Sequence, residues 1–148
     1  MITNITSIML QEHKEINQIL ENLEKNNQDS KKLLDKIKFS LEKHFFIEEK
    51  IIFKIYSLNK NNENILDLIK EHKDILWLIN KLKENLKKEL NLELSDLKEL
   101  LVSHIKFENE FFYPKLEKEL DKETKNLIID RYKDASCKEL NDLSNTKL

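Results

Sequence analysis

The chain has 148 residues, with 26 Lys+Arg against 28 Asp+Glu, one proline, one cysteine and no glycine. The lack of glycine argues against phosphate-cradling loops and against hairpin-rich sheets, both of which need positive φ; a net charge of −2 exerts no pull toward nucleic acid or an anionic membrane. Leu, Ile, Val and Phe supply 50 residues, enough for a sizeable core, and the dominance of Leu, Lys, Glu and Ile is that of long amphipathic helices, so the chain reads as all-α.

Polar, Asn-rich breaks around residues 26–30, 59–62, 88–91 and 121 divide the pattern. They predict helices over about 4–26, 30–57, 63–88 and 95–118, and a shorter fifth over about 122–142. Connections this short make successive helices antiparallel neighbours. The expected architecture is therefore one domain, an up-down-up-down four-helix bundle over about 4–118 with a short C-terminal fifth helix and tail over about 119–148. Pro114 falls near the end of the fourth helix, where it can kink the last turns.

The first helix carries its apolar stripe on Ile5, Ile8, Met9, Ile16, Ile19, Leu20 and Leu23, and the second on Ile37, Leu41, Ile47, Ile51, Ile52 and Ile55. The third uses Ile65, Leu68, Ile69, Ile75, Leu76, Ile79, Leu82 and Leu86, and the fourth Leu97, Leu100, Leu101, Phe107 and Phe111. All four histidines, His13, His44, His72 and His104, fall on these stripes, one per helix. Two of them have a glutamate one turn later, His44 with Glu48 and His104 with Glu108. An i,i+4 pair is offset by about 40° and about 6 Å on a helix, so imidazole and carboxylate share one inward face.

An internal repeat doubles this arrangement. Glu12-His13-Lys14-Glu15-Ile16 recurs as Glu71-His72-Lys73-Asp74-Ile75, 59 residues on, and the His44 segment recurs as the His104 segment, 60 residues on. A pseudo-two-fold bundle built this way brings two copies of a His plus His-x-x-x-Glu set together. Any one histidine on an apolar stripe is more often an ordinary core residue than a ligand. The set is different, because two ionised glutamates on apolar stripes are costly to bury unless a cation accompanies them. Imidazole and carboxylate without thiolate argue against a Cys-type zinc site and against an all-oxygen Mg or Ca site, and favour Fe or Mn. Six ligands suit two irons, each with two histidines, sharing Glu48, Glu108 and an oxo or hydroxo bridge.

The order His, His-x-x-x-Glu, His, His-x-x-x-Glu on successive helices resembles the hemerythrin-like, or HHE cation-binding, domain. The likeness runs through all four main helices and includes His44-Phe-Phe-Ile-Glu-Glu49 and His104-Ile-Lys-Phe-Glu-Asn-Glu-Phe-Phe-Tyr-Pro114. The resemblance implies a di-iron centre in which His13 and His44 bind one iron, His72 and His104 the other, and Glu48 and Glu108 bridge. Oxygen-carrying hemerythrins have a fifth histidine one turn after that of the third helix, where Leu76 stands here, and a His-x-x-x-x-Asp in the last helix, where position i+5 is Asn109. Two nitrogens per iron leave open positions on both ions, which argues against simple reversible oxygen carriage. The four-His, two-Glu set is similar instead to the di-iron domain of the repair-of-iron-centres proteins, although no N-terminal cysteine-bearing segment is present.

The resemblance implies a protein that binds or senses O2, NO or peroxide, or that donates iron in stress response and iron-sulfur centre repair, with iron-sulfur proteins as candidate partners. A di-iron peroxidase or NO-reducing enzyme and a reversible oxygen-binding hemerythrin are the alternatives, and a metal-free helical adaptor the third class. Glu12, Glu15, Glu49 and Glu71 are candidate acceptors for ligand N–H groups. Phe45, Phe46, Phe107, Phe111, Phe112 and Trp77 are expected as core and pocket walls, Tyr56, Tyr113 and Tyr132 as candidate stabilisers of bound oxygen species, and Cys137 as a bystander. With no signal peptide, membrane span or disulfide to read, the expected compartment is the cytoplasm. Asn, Ile and Lys richness with one arginine, Arg131, is what an AT-rich bacterial gene gives.

Overall fold

The computed structural model describes the backbone at residues 4–25, 29–59, 64–85 and 91–146, and the side chains of these except 59, 91 and 137–146. Among the described residues there is no strand. Helix α1 (Ile5–Lys25) is followed by α2 (Ser30–Ile47), which runs through a π-helical turn (Glu48–Ile52) into α3 (Phe53–Asn59). Helix α4 (Asn64–Glu84) precedes α5 (Asn91–Phe107), which runs through a second π-helical turn (Glu108–Phe112) into α6 (Tyr113–Glu119). Helix α7 (Lys122–Thr146) closes the chain. No helix among the described residues is long and apolar enough to cross a membrane.

With glycine absent, short polar side chains start the helices. Asn4 Oδ1 accepts from Ser7 N at 2.7 Å ahead of α1, and Asp121 Oδ1 accepts from Thr124 N at 2.7 Å ahead of α7. Asp29 precedes α2 without a side-chain cap. Of the expected breaks around 26–30, 59–62 and 88–91, residues 26–28, 60–62 and 88–90 lie outside the described residues, as does the apolar position Leu86.

Contacts run in a ring, α1 on α2, α2 on α4, α4 on α5, and α5 with α6 back on α1. Polar contacts fix the directions. Thr6 at the start of α1 donates its N–H to Glu117 near the end of α6 at 3.0 Å, and Glu24 near the end of α1 pairs with Lys98 in α5 at 2.9 Å. This is the expected four-helix bundle, with α7 against α1, α2 and the first π turn.

The core forms two apolar clusters. One gathers Ile5, Met9, Ile52, Phe53, Leu68, Phe112 and Leu116 with Ile128 of α7; the other gathers Ile16, Leu20, Ile37, Leu41, Ile75, Ile79 and Leu101. The four histidines lie at the level where these clusters meet, between Met9 and Ile16 on α1 and between Leu68 and Ile75 on α4.

The two π turns correct the predicted stripes. Each inserts one residue into the helical register, so beyond Glu48 the buried residues are Ile51, Ile52, Phe53 and Tyr56, and beyond Glu108 they are Phe112, Tyr113, Leu116 and Leu120. Phe111, expected inside, is 60% exposed. Trp77, expected as a wall, is 59% exposed on the outer face of α4 and lies under Lys81. Pro114 does not cause the π turn, because the equivalent position in the first repeat is Lys54 and the turn is the same. Both π turns instead begin at the fully buried glutamate, Glu48 or Glu108.

Candidate metal centre

One histidine from each of α1, α2, α4 and α5 and one glutamate from the start of each π turn converge on the bundle axis. His13, His44, His72, His104, Glu48 and Glu108 are all at most 2% exposed. They form two overlapping groups, His13, His44, Glu48 and Glu108, and Glu48, His72, His104 and Glu108, each with ligand-type atoms within 4.8 Å of one another. All six residues singled out in the sequence are thus brought together.

The outward nitrogen of every imidazole is held by an acceptor. His44 Nδ1 donates to Glu12 Oε1 at 2.6 Å, His72 Nδ1 to Glu49 Oε2 at 2.7 Å, and His104 Nδ1 to Glu71 Oε1 at 2.6 Å. His13 Nδ1 donates to Asn109 Oδ1 at 2.6 Å. A neutral imidazole with its proton committed at Nδ1 has a lone pair at Nε2, and all four Nε2 atoms point into the cluster. Three of the glutamates weighed as acceptors fill that role, while Glu15 is exposed. Asn109 is the acceptor that sequence reasoning missed, and the 60-residue repeat places it opposite Glu49.

The inner atoms have the arrangement a cation needs. His13 Nε2 and His44 Nε2 face each other at 3.1 Å, His13 Nε2 lies 3.0 Å from Glu108 Oε1, and His72 Nε2 lies 3.0 Å from Glu48 Oε1. His44 Nε2 is 3.5 Å from Glu48 Oε1, and His104 Nε2 is 3.4 Å from Glu108 Oε2. Glu48 Oε1, both Glu108 oxygens, His72 Nε2 and His104 Nε2 are buried without a hydrogen-bond partner. Buried polar atoms are ordinarily satisfied, and converging lone pairs and carboxylates repel unless positive charge sits between them. The donor set therefore fits a metal ion held by nitrogen and oxygen ligands without sulfur.

Protonation shows the same demand for positive charge. Burial opposes an imidazolium at His104, but Glu108, with Glu48 and Glu71, outweighs it and raises the pKa from 6.5 to about 9. His44 is likewise raised well above its ordinary value, burial being overcome by Glu48, Glu108 and Glu12. Burial pushes the Glu108 carboxyl up, but contacts with Glu48 and the imidazoles of His104, His13 and His44 hold it well below the usual carboxylate range.

Aromatic rings close the site. Phe45 stacks on His72 with ring centroids 3.8 Å apart, and Phe53, which the sequence reading did not single out, stacks on the same ring at 5.9 Å. Phe112 packs on Phe53 at 5.2 Å. Of the three tyrosines, Tyr113 reaches the centre, donating its hydroxyl to Glu48 Oε2. Burial, followed by the charges of Glu48 and Glu108, drives the Tyr113 pKa well above 10, so it stays a proton-bearing donor. Tyr132 of α7 donates to Glu12 Oε2 at 2.7 Å and is one bond removed from His44. Tyr56 donates to Glu119 at 3.0 Å, away from the ligand cluster.

Two surface hollows approach the outer partners. One of about 370 Å³ is lined by Ile8, Glu12, Lys43 and Tyr132 among others, and one of about 290 Å³ by Asn17, Ile105 and Asn109. Among known proteins, the family model described as Hemerythrin HHE cation binding domain matches residues 4–116. No curated protein and no solved structure matches the chain.

Proposed function

This chain belongs to the hemerythrin HHE cation-binding domain family, and on that premise we propose that it is a non-haem di-iron protein that binds or senses O2, NO or peroxide, or stores and donates iron. The observation that carries the reading is the convergence of four imidazole Nε2 atoms on two fully buried carboxylates, grouped as two overlapping sets. His13 and His44 would hold one iron and His72 and His104 the other, with Glu48 and Glu108 between them. Paired iron, when bound, supplies redox chemistry and affinity for diatomic ligands and peroxide.

The residues of the chain favour a stress-response or iron-donating role over oxygen carriage. Leu76, one turn after His72, is partly buried against the apolar cluster and offers no fifth nitrogen. Each half of the centre then has two imidazoles, leaving room for exogenous ligands at both. Iron-centre repair is the leading specific form and oxygen sensing the next, with iron-sulfur proteins as partners and the cytoplasm as the compartment. Anaerobically reconstituted protein tests the reading: oxo-bridged charge-transfer bands that change on exposure to air or NO support it, and a spectrum indifferent to both gases contradicts it.

A second reading, a peroxidase or NO-reducing enzyme, is favoured by Tyr113. Its hydroxyl holds a proton at a water-excluded position on Glu48, where it can act as a hydrogen-bond donor beside a reacting ligand. Turnover of peroxide or NO faster than free iron, lowered in Tyr113→Phe, would establish that reading. Turnover no faster than free iron removes it.

A further inference from the structure

We propose that the two halves of the centre are inequivalent: the His72/His104 half fills first and holds its metal more tightly, and the His13/His44 half is the exchangeable one. The inference rests on the dinuclear reading above and deepens it.

The repeat makes the two halves comparable residue by residue. Glu12 corresponds to Glu71, Glu49 to Asn109, and Phe53 to Tyr113. The structure keeps the correspondence, since Glu12 and Glu71 hold the histidines of α2 and α5, while Glu49 and Asn109 hold those of α4 and α1. Two of the three pairs break the symmetry.

At His72 the outer acceptor is the Glu49 carboxylate at 2.7 Å, and at His13 it is the Asn109 amide oxygen at 2.6 Å. The bond lengths are alike, so the difference is charge. A carboxylate draws on the Nδ1 proton and raises the basicity of Nε2, which a neutral amide does more weakly. The His72/His104 half has two outer carboxylates, Glu49 and Glu71, whereas the His13/His44 half has one, Glu12. Glu12 is more buried than Glu71, with side chains 10% and 39% exposed, which strengthens its effect on His44. It also accepts from Tyr132, which disperses part of that charge.

The second break lies on the inner side. Tyr113, beside His13 with ring centroids 6.3 Å apart, takes Glu48 Oε2. Phe53, at the equivalent place beside His72, has no hydroxyl and takes no oxygen. Glu48 is left with Oε1 free, nearer His72 Nε2 at 3.0 Å than His44 Nε2 at 3.5 Å. Both departures weaken the same half.

Repulsion between two cations separates the binding steps of any dinuclear site, so stepwise affinities alone do not discriminate; the location of the first ion does. The test is anaerobic loading of the full chain with one equivalent of Co(II), followed by crystallography with anomalous scattering to measure occupancy at each half. Occupancy is expected to favour His72/His104 by roughly tenfold, the lower end of what an outer partner contributes to metal affinity. Asn109→Asp is expected to bring the two occupancies together, and Glu49→Gln to do the same by weakening the other half. In a chelator competition, the fast phase of cobalt release should slow in Asn109→Asp. Equal occupancy in the wild type, or more cobalt at His13/His44, overturns the proposal and leaves the dinuclear reading standing. Cobalt at neither half overturns both.

Discussion

Tyr113 donates its hydroxyl to Oε2 of Glu48 across 65 residues of sequence, at a position where the first repeat has Phe53. The bond depends on the π turn at Glu108–Phe112, which rotates Tyr113 inward and turns Phe111 out to solvent. A regular helix through this segment would present a different face to the cluster.

Replacing Tyr113 with Phe is therefore nearly isosteric and leaves Glu48 Oε2 buried without its donor. The expected cost is about 1.5–3 kcal/mol in the metal-free protein, the range for hydrogen bonds to charged groups. The metal-loaded protein should lose less, because a cation can compensate the freed oxygen. Chemical denaturation of both forms checks this; equal losses would mean that the bond and the metal site are energetically independent.

Metal-free stability should fall as pH rises through the His104 titration. The folded pKa, about 9, lies above the ordinary 6.5, so this group's contribution is fully present below 6.5 and is lost as pH rises through about 9. A shift of this size corresponds to a contribution on the order of 3 kcal/mol. Metal uptake must displace the same proton, so affinity should rise over the same window. Denaturation and metal titration from pH 6 to 9.5 measure both trends, and a flat metal-free stability would contradict the raised pKa.

Glu12 orients His44 from outside, held in turn by Tyr132. Glu12→Gln should lower metal affinity about 10-fold to 100-fold with the fold intact. Tyr132→Phe should have a smaller effect of the same sign, since it loosens Glu12 without removing it. Chelator competition with circular dichroism as a folding control decides the matter; unchanged affinity in Glu12→Gln would remove the positioning role.

Leu101, fully buried in the cluster away from α7, tests the separation of core from site. Leu101→Ala should cost about 2–5 kcal/mol through cavity formation, yet leave metal stoichiometry unchanged. Loss of metal in a variant that remains folded would show that the apolar cluster and the ligand layer are coupled.

The bundle and its six converging side chains were legible because each rests on helical periodicity, one histidine per stripe and a glutamate one turn on. The apolar periods of Ile5 to Leu23 and Ile65 to Leu82 map directly onto buried faces. The π turns were not legible, since nothing local distinguishes Glu48–Ile52 from a regular turn; their effect shows only downstream, where Tyr113 is buried in place of Phe111, and Phe53 is fully buried while Ile55 is only partly so. Asn109 was hidden for a different reason. Set against the His-x-x-x-x-Asp of oxygen-carrying hemerythrins it reads only as a missing carboxylate, whereas aligned with Glu49 in the internal repeat it is the acceptor for His13.

The most direct test of the centre is iron content after anaerobic reconstitution, measured on the wild type and on the His44→Ala/His104→Ala double variant. Two irons per chain in the wild type, with loss of tightly held iron in the double variant, is the result expected from one disrupted imidazole set in each half. Wild-type protein that takes up no iron, or a double variant that holds as much iron as the wild type, would contradict the assignment of these histidines as metal ligands.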